Sequence, residues 1–162
     1  MRRETVPAAC AVRLPRVFRL GLYLAGLGLW LSGALWLACH YLLERPGEFG
    51  VTVHPLEPLW LALHGAFAFL ALWAFGLLWG AHIAPGWSGG RRRASGAWLV
   101  GGVIWMSATG YLLYYLGNEH ARSAASLLHW SVGLACPALF ATHRLAPGDR
   151  KDETASSGSR HP

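Results

Sequence analysis

The stretch from His64 to His82 constrains the fold most, because it is almost unbroken apolar sequence with a histidine at each end (HGAFAFLALWAFGLLWGAH). The two histidines are eighteen positions apart. In an α-helix this spacing corresponds to five turns and about 27 Å, so both imidazoles are expected on one helix face. The hydrocarbon core of a bilayer is about 30 Å thick. The stretch therefore predicts a membrane-spanning helix with an ionisable side chain near each end.

Three further apolar stretches are long enough to span a bilayer, and 54% of the 162 residues are hydrophobic against 14% charged. This balance is typical of membrane proteins. The four predicted spans are about 17–43, 58–84, 97–116 and 124–142. We predict an all-α, up-down-up-down four-helix bundle surrounded by lipid over residues 17–145, with a cytoplasmic arm (1–16) before it and a disordered cytoplasmic tail (146–162) after it.

The distribution of basic residues predicts the orientation of these spans. Twelve of the fourteen Lys and Arg residues lie before or at the start of the first span, between the second and third, or after the fourth, and those three segments are on one side of a four-span chain. Only Arg45 and Arg122 lie on the other side. By the positive-inside rule, both termini are cytoplasmic and two loops are external. The net charge of +6 is therefore explained by arginines and lysines on the cytoplasmic side of the membrane. It is not evidence of nucleic-acid binding, and none is expected.

A second histidine pair lies on the fourth span, where His129 and His143 are fourteen positions apart, or about 21 Å. Spans two and four run in the same direction in the predicted topology. His64 and His129 therefore meet at the external depth, and His82 and His143 meet at the cytoplasmic depth. Two facing imidazoles in a bundle are what an axially bis-ligated haem requires.

Small residues one turn beyond two of these histidines, Ala68 and Gly133, are expected to leave room for the ring of a haem. The chain has three cysteines and no CxxCH motif, which argues against covalent haem attachment. Zinc or copper transport is disfavoured because no Asp or Glu falls within the predicted spans. Hydrolytic chemistry is disfavoured by the same lack of an acid/base carboxylate.

The two histidine spacings differ by four residues, a mismatch of about 6 Å along the helix axis. Helix tilt, a bend at Pro137, or His40 acting as an alternative external ligand would each absorb it. Candidate contacts to haem propionates are the arginines near the cytoplasmic depth, Arg91, Arg92, Arg93 and Arg144. The candidate external site for a quinone or a redox partner is Tyr114, Tyr115, Glu119 and Arg122, although an aromatic belt and a polar turn explain the same residues.

The chain resembles the small bacterial four-helix di-haem membrane cytochromes b, a group that includes cytochrome subunits of hydrogenases and other respiratory complexes. The resemblance covers about residues 17–145. It is carried by Leu63-His64-Gly65, His82, Arg92 to Gly96, Thr109 to Tyr115, Glu119 with Arg122, His129-Trp130 with Gly133, and His143. The eighteen-residue spacing is longer than is usual in that group.

The resemblance implies two b haems, ligated by His64/His129 and His82/His143, in a multi-pass protein of the bacterial cytoplasmic membrane. It also implies electron transfer across that membrane, with quinone on one side and a redox partner protein on the other. Such a chain is an electron-transfer subunit of an oxidoreductase, part of a multi-subunit complex, rather than a self-contained enzyme. The alternative function is a cofactor-free membrane anchor or assembly subunit of a respiratory or redox complex.

The predicted orientation can be tested with single cysteines in the two loops of opposite sidedness. In a variant without native cysteines, Gly117→Cys should react with a membrane-impermeant maleimide in intact cells. Gly89→Cys should react only after the membrane is permeabilised, because its loop carries three of the cytoplasmic arginines. The opposite pattern of labelling would reverse the topology.

Overall fold

The computed structural model describes residues 15–47, 50–88 and 93–145. In chain order the elements are α1 (Arg16–Tyr41), β1 (Arg45–Gly47), β2 (Gly50–Thr52), α2 (Glu57–Leu78), a π-helical turn (Trp79–Ile83), α3 (Ala84–Ser88), α4 (Arg93–Tyr115) and α5 (Glu119–Leu145). The predicted arm up to residue 14, the tail 146–162, and Arg91 and Arg92 lie outside the described residues.

Four helical stretches are long and apolar enough to cross a membrane: Arg16–Tyr41, Glu57–Trp87, Arg93–Tyr115 and Glu119–Leu145. The prediction of a mainly helical protein with four helices long and apolar enough to span a membrane is thereby confirmed, and this length and composition are those of a multi-pass membrane protein. The connection between the first two helices holds a short antiparallel β-hairpin, with Arg45 opposite Thr52, which the sequence did not suggest.

The helices pack in two pairs, α1 along α2 and α4 along α5. Gly28 on α1 lies against the Phe67 ring of α2, and Gly133 on α5 lies against Met106 of α4. The two pairs share few contacts with each other. One of them joins α1 to α5, where the rings of Tyr23 and Phe140 meet edge to face with their centroids 6.1 Å apart.

The buried residues of the described part of the chain are all small: Ser32, Cys39, Ala74, Thr109 and Ala125. None of the large side chains described is fully buried. Small residues at helix contacts let backbones approach closely in a membrane, where burial of apolar surface gives no advantage over lipid. The centre of the bundle is therefore lined by side chains of the two helix pairs and is not filled by a large apolar core.

Two helices begin earlier than the predicted spans. The helix α5 begins at Glu119, inside the predicted loop, because the Asn118 side chain accepts the backbone N–H of Ala121 at 3.0 Å. This is the N-cap arrangement that satisfies an otherwise unpaired amide. The helix α4 begins at Arg93, ahead of the predicted span, so that Ser95 and Gly96 are helical.

The π-helical turn changes the relation between His64 and His82. The backbone N–H of Ala84 bonds to the carbonyl of Trp79, five residues earlier, which is the wider π-type turn. Pro85 follows directly, and a proline ring clashes with the carbonyl four residues before it in a regular α-helix, so a wider turn is accommodated here.

This wider turn absorbs one extra residue. His82 lies inside this turn, so its position relative to the His64 face departs from that of the regular α-helix on which the expectation of a shared face is based.

The packing of α1 on α2 predicts a difference between two nearby glycines. A Cβ at Gly28 would lie 2.5 Å from the Phe67 ring, whereas a Cβ at Gly26 meets nothing within 4 Å. We expect Gly28→Val to lower the free energy of unfolding by about 1–3 kcal/mol relative to Gly26→Val, because the overpacked ring must move. Thermal unfolding of the two variants in the same detergent measures this difference, and equal stabilities would contradict the close approach.

Candidate functional site

The imidazole of His64 is held by the neighbouring helix α1. Its Nδ1 lies 3.0 Å from the carbonyl oxygen of Leu29 and 3.4 Å from the hydroxyl of Ser32. A carbonyl can only accept a hydrogen bond, so Nδ1 carries the proton and donates it. The second ring nitrogen, Nε2, then has a free lone pair and is available as a metal ligand.

The imidazole of His129 is held in the same way by α4. Its Nδ1 lies 2.9 Å from the hydroxyl of Thr109. That hydroxyl donates its own proton to the backbone carbonyl of Trp105 at 2.8 Å. The Thr109 oxygen therefore accepts from Nδ1–H of His129, which leaves a lone pair on Nε2 here as well.

The two rings face each other across the gap between the helix pairs. Their centroids are 6.2 Å apart and their planes are nearly perpendicular, at 83°. Two imidazoles bound to opposite sides of one metal ion, each through a bond of about 2 Å, have centroids roughly 6 Å apart. The observed separation matches this value without any movement of the helices.

The donor set indicates which kind of metal centre fits here. Within residues 15–47, 50–88 and 93–145, no group of three or more His, Cys, Asp or Glu side chains is arranged to hold a metal ion. The facing pair itself contributes two imidazole rings. A haem macrocycle supplies four equatorial nitrogens and leaves two axial positions, which fits this donor set.

A glycine follows each hydroxyl residue and lies against the same histidine. A Cβ at Gly33 would be 2.8 Å from Cε1 of His64, and a Cβ at Gly110 would be 3.3 Å from Cε1 of His129. Side chains larger than glycine would press on the rings. We call the dipeptides Ser32-Gly33 and Thr109-Gly110 hydroxyl–glycine pairs, because the hydroxyl contacts the histidine and the glycine makes room for it.

A third hydroxyl–glycine pair, Ser95-Gly96, contacts His143. The Ser95 hydroxyl lies 2.9 Å from Nδ1 of His143, and a Cβ at Gly96 would be 3.9 Å from its Cε1. The two pairs on α4 are fourteen residues apart, as are His129 and His143 on α5. The α4–α5 pair therefore repeats the same arrangement at two depths.

His82 has no such arrangement around it. It lies in the π-helical turn, its side chain is exposed, and it makes no hydrogen bond or ring contact with the described residues. It stands about 26 Å along its helix from His64, whereas His143 is about 21 Å from His129. The structure thus brings His64 and His129 together and does not bring the His82 and His143 rings into contact.

The side chain of His40, the alternative external ligand, contacts residues other than the facing pair. Its Nδ1 lies 2.8 Å from a carboxylate oxygen of Glu57, and its ring stacks on Trp36 with centroids 4.8 Å apart. It is seven residues beyond Gly33 on α1, or about 10 Å further along the axis than the His64 contact. His40 is therefore separate from the facing pair.

The predicted polar contacts lie at the ends of the helices. Tyr114 and Tyr115 are 80% and 70% exposed, and Glu119 and Arg122 are also exposed. The Tyr115 ring stacks on Tyr111, with centroids 4.3 Å apart. These residues form an exposed surface at the junction of α4 and α5.

Two of the four arginines predicted to contact propionates lie in the described part of the chain. Arg93 donates from Nε to the carbonyl of Trp87 at 2.8 Å, and Arg144 donates to the hydroxyl of Tyr23. The Arg144 guanidinium also stands over the Tyr23 ring, 5.6 Å from its centroid. Each of these two cations already has a protein partner.

One of the small residues predicted to leave room for a haem contacts the neighbouring helix. A Cβ at Gly133 would lie 3.1 Å from the terminal methyl of Met106, so this glycine makes room for a methionine of α4. The residues that make room beside a histidine, Gly33 and Gly110, were missed from the sequence, as was Gly96, where an added Cβ would be in ordinary contact with His143. A signal was present in the sequence, since each of these glycines follows a serine or a threonine. The dipeptide alone does not show which residue of another helix it contacts.

Comparisons with known protein families, curated proteins and solved structures find no match for this chain. The function is therefore inferred from the residues and their geometry.

The hydrogen bond from His129 to Thr109 can be tested by comparing two variants of α4. Thr109→Val keeps the side-chain shape and removes the acceptor, so we expect the imidazole of His129 to lose its single Nδ1–H tautomer and the protein to lose about 1–3 kcal/mol of stability. Ser107→Ala is the control, because that hydroxyl bonds only to the Val103 carbonyl of its own helix. Nitrogen-15 NMR of the histidine rings measures the tautomer, and an unchanged His129 signal in Thr109→Val would contradict the assignment.

Proposed function

We propose that the protein is an electron-transfer subunit of a respiratory or redox complex, a four-helix membrane cytochrome b with two haem b groups. The single observation that carries this proposal is the pair His64 and His129, whose rings face each other 6.2 Å apart with both Nδ1 protons donated away from the gap. His64 and His129 would hold a haem between them, and the haem would supply one-electron redox chemistry. The chain's resemblance to small bacterial di-haem cytochromes b agrees with it.

The residues around the first site prepare both ligands before any cofactor binds. The Leu29 carbonyl and the Thr109 hydroxyl fix the tautomer and the orientation of the rings, and a hydrogen bond at Nδ1 raises the basicity of Nε2. Gly33 and Gly110 allow the rings to lie close to α1 and α4. When bound, haem supplies the one-electron redox chemistry, with a potential set partly by its axial ligands.

The second haem is proposed at the end of the bundle that carries His143 and His82. Ser95 holds His143 as Thr109 holds His129, at the same fourteen-residue spacing. His129 and His143 are about 21 Å apart along α5. Haems held by these two residues would lie at two different depths of a bilayer and would carry electrons between its faces.

The proposed arrangement of the chain is up-down-up-down with cytoplasmic termini in a bacterial inner membrane. Contacts between neighbouring helices support it. Gly28 of α1 contacts Phe67 of α2, and the later residue Gly33 contacts the earlier residue His64, so α1 and α2 are antiparallel. The helices α4 and α5 are antiparallel by the same criterion, since Ser95 contacts His143 and the later residue Thr109 contacts the earlier residue His129. The positive-inside rule supports the orientation.

The surface of Tyr114, Tyr115, Glu119 and Arg122 is the proposed external contact for a quinone or a redox partner protein. Its exposed aromatic rings offer stacking area, and its two charges are not paired with each other in the described part of the chain. Arg93 and Arg144 lie on the helix ends nearest Ser95 and His143, where cations favour the carboxylates of a haem.

The proposal predicts two haems in the detergent-purified protein. Reduced-minus-oxidised spectra and pyridine haemochrome should give two b-type haems per chain. His64→Ala and His129→Ala should each remove one haem, and the same one, since they hold opposite sides of a single iron. His54→Ala is the control, because His54 bonds only to a backbone amide of its loop and should leave both haems bound.

A folded but colourless protein would contradict the proposal and favour the cofactor-free anchor or assembly subunit. Retention of both haems in His64→Ala or in His129→Ala would show that this pair does not ligate iron.

A further inference from the structure

The indole nitrogen of Trp30 is a buried hydrogen-bond donor without an acceptor. Nε1 of this side chain is covered by the protein and has no hydrogen-bond partner among the described residues. No other buried side-chain nitrogen or oxygen in the described part of the chain lacks a partner. Trp30 lies in the middle of α1, and the helices α1, α2, α4 and α5 are described over their whole lengths. An unpaired donor is costly in an interior without water, so a partner for this one is expected from a bound molecule.

Trp30 lies at the depth of the facing histidine pair. It directly follows Leu29, whose carbonyl oxygen is 3.0 Å from Nδ1 of His64. It precedes Gly33, which lies against the same imidazole, by three positions, or about 4.5 Å along the helix axis. The indole is therefore level with the gap in which the rings of His64 and His129 face each other.

The helical period places Trp30 on the side of α1 that meets the second helix pair. Seven positions return to nearly the same face of an α-helix. Tyr23, seven positions earlier, makes an edge-to-face contact with Phe140 of α5. Gly28, which contacts Phe67 of α2, is about 160° away around the helix. The unpaired donor thus belongs to the face of α1 that borders the space between the two pairs.

A haem at the first site would carry the acceptor that Trp30 lacks. The methyl and vinyl groups of haem b accept no hydrogen bond, whereas its propionate carboxylates do. The other residues proposed to contact propionates, Arg93 and Arg144, lie nearest Ser95 and His143, at the opposite end of the bundle. No donor has been assigned to the propionates of the first haem.

We propose that Trp30 is a haem-binding residue of the first site, whose indole N–H donates a hydrogen bond to a propionate of the haem held by His64 and His129. This inference rests on the proposed function. It adds a contact that selects which edge of the haem faces α1, because two axial ligands alone allow the macrocycle to turn about the axis through the iron. The bond is charge-assisted, and such bonds are stronger than those between neutral groups.

A comparison of two porphyrins tests this contact. Iron etioporphyrin has the macrocycle of haem but no carboxylate, so it cannot accept from Trp30. The full-length chain with His143→Ala, in which the first site is the one that remains, is loaded with either porphyrin in detergent. Affinities are measured by competition with apomyoglobin, whose affinity for each porphyrin is determined separately. We expect this chain to prefer haem by about tenfold or more, the size of a hydrogen bond to a charged group.

The variant Trp30→Phe keeps an aromatic ring and removes the N–H. We expect it to bind haem about tenfold more weakly and iron etioporphyrin with unchanged affinity, because only haem makes the contact that is lost. Unchanged binding of iron etioporphyrin also shows that the variant is folded. Trp98→Phe is the matched control, because Trp98 is 73% exposed, and it should change neither affinity.

Equal weakening of both porphyrins in Trp30→Phe would overturn the inference, since it would show that the indole only fills space. Equal affinity of the chain with native Trp30 for haem and iron etioporphyrin would also overturn it, and this measurement does not depend on how well Trp30→Phe folds. Both results leave the proposed function intact. A protein that binds neither porphyrin would instead refute the proposed function, and the inference with it.

Discussion

The hydrogen bond at Nδ1 of each paired histidine is the interaction on which the rest of the site depends. A neutral imidazole has one donor and one acceptor nitrogen, so whatever accepts the Nδ1 proton decides where the lone pair points. The Leu29 carbonyl does this for His64 and the Thr109 hydroxyl for His129. In both cases the acceptor belongs to the helix that packs beside the histidine's own helix. The packing of each helix pair therefore determines the chemistry in the gap between the pairs.

This dependence explains why the interior contains small residues. Glycine and small hydroxyl residues bring α1 against α2 and α4 against α5 closely enough for the hydrogen bonds to form, as small residues do in membrane helices generally. The buried polar groups Ser32 and Thr109 are also satisfied by backbone carbonyls, so neither is a polar group left unpaired in an apolar interior. Structural and functional contacts are made by the same residues here.

Much of the architecture was predictable from the sequence, because a run of apolar residues long enough to cross a bilayer has few other stable conformations in lipid. The four helices and the facing of His64 with His129 follow from such runs and from their order. The hydroxyl–glycine pairs were not predictable, since each contacts a histidine of another helix 20 to 48 positions away. The π-helical turn was not predicted, and the helical stretch that contains it continues past Pro85, beyond the predicted span 58–84. The local pattern of apolar residues predicts where a helix spans the membrane. Contacts between helices depend on how the helices are aligned along their axes, which the local pattern does not predict.

The equal spacing of the two hydroxyl–glycine pairs on α4 and the two histidines on α5 couples the lengths of these helices. An insertion or deletion between Ser95 and Thr109 would shift one pair by a residue and turn it away from its histidine, unless a matching change occurred between His129 and His143. The α1–α2 pair carries only one such contact, between Ser32-Gly33 and His64, so nothing equivalent constrains the half of α2 that follows it. The extra residue of the π-helical turn lies in that unconstrained half. One helix pair is thus held to a fixed length between its two sites, while the other is free to vary beyond its single site.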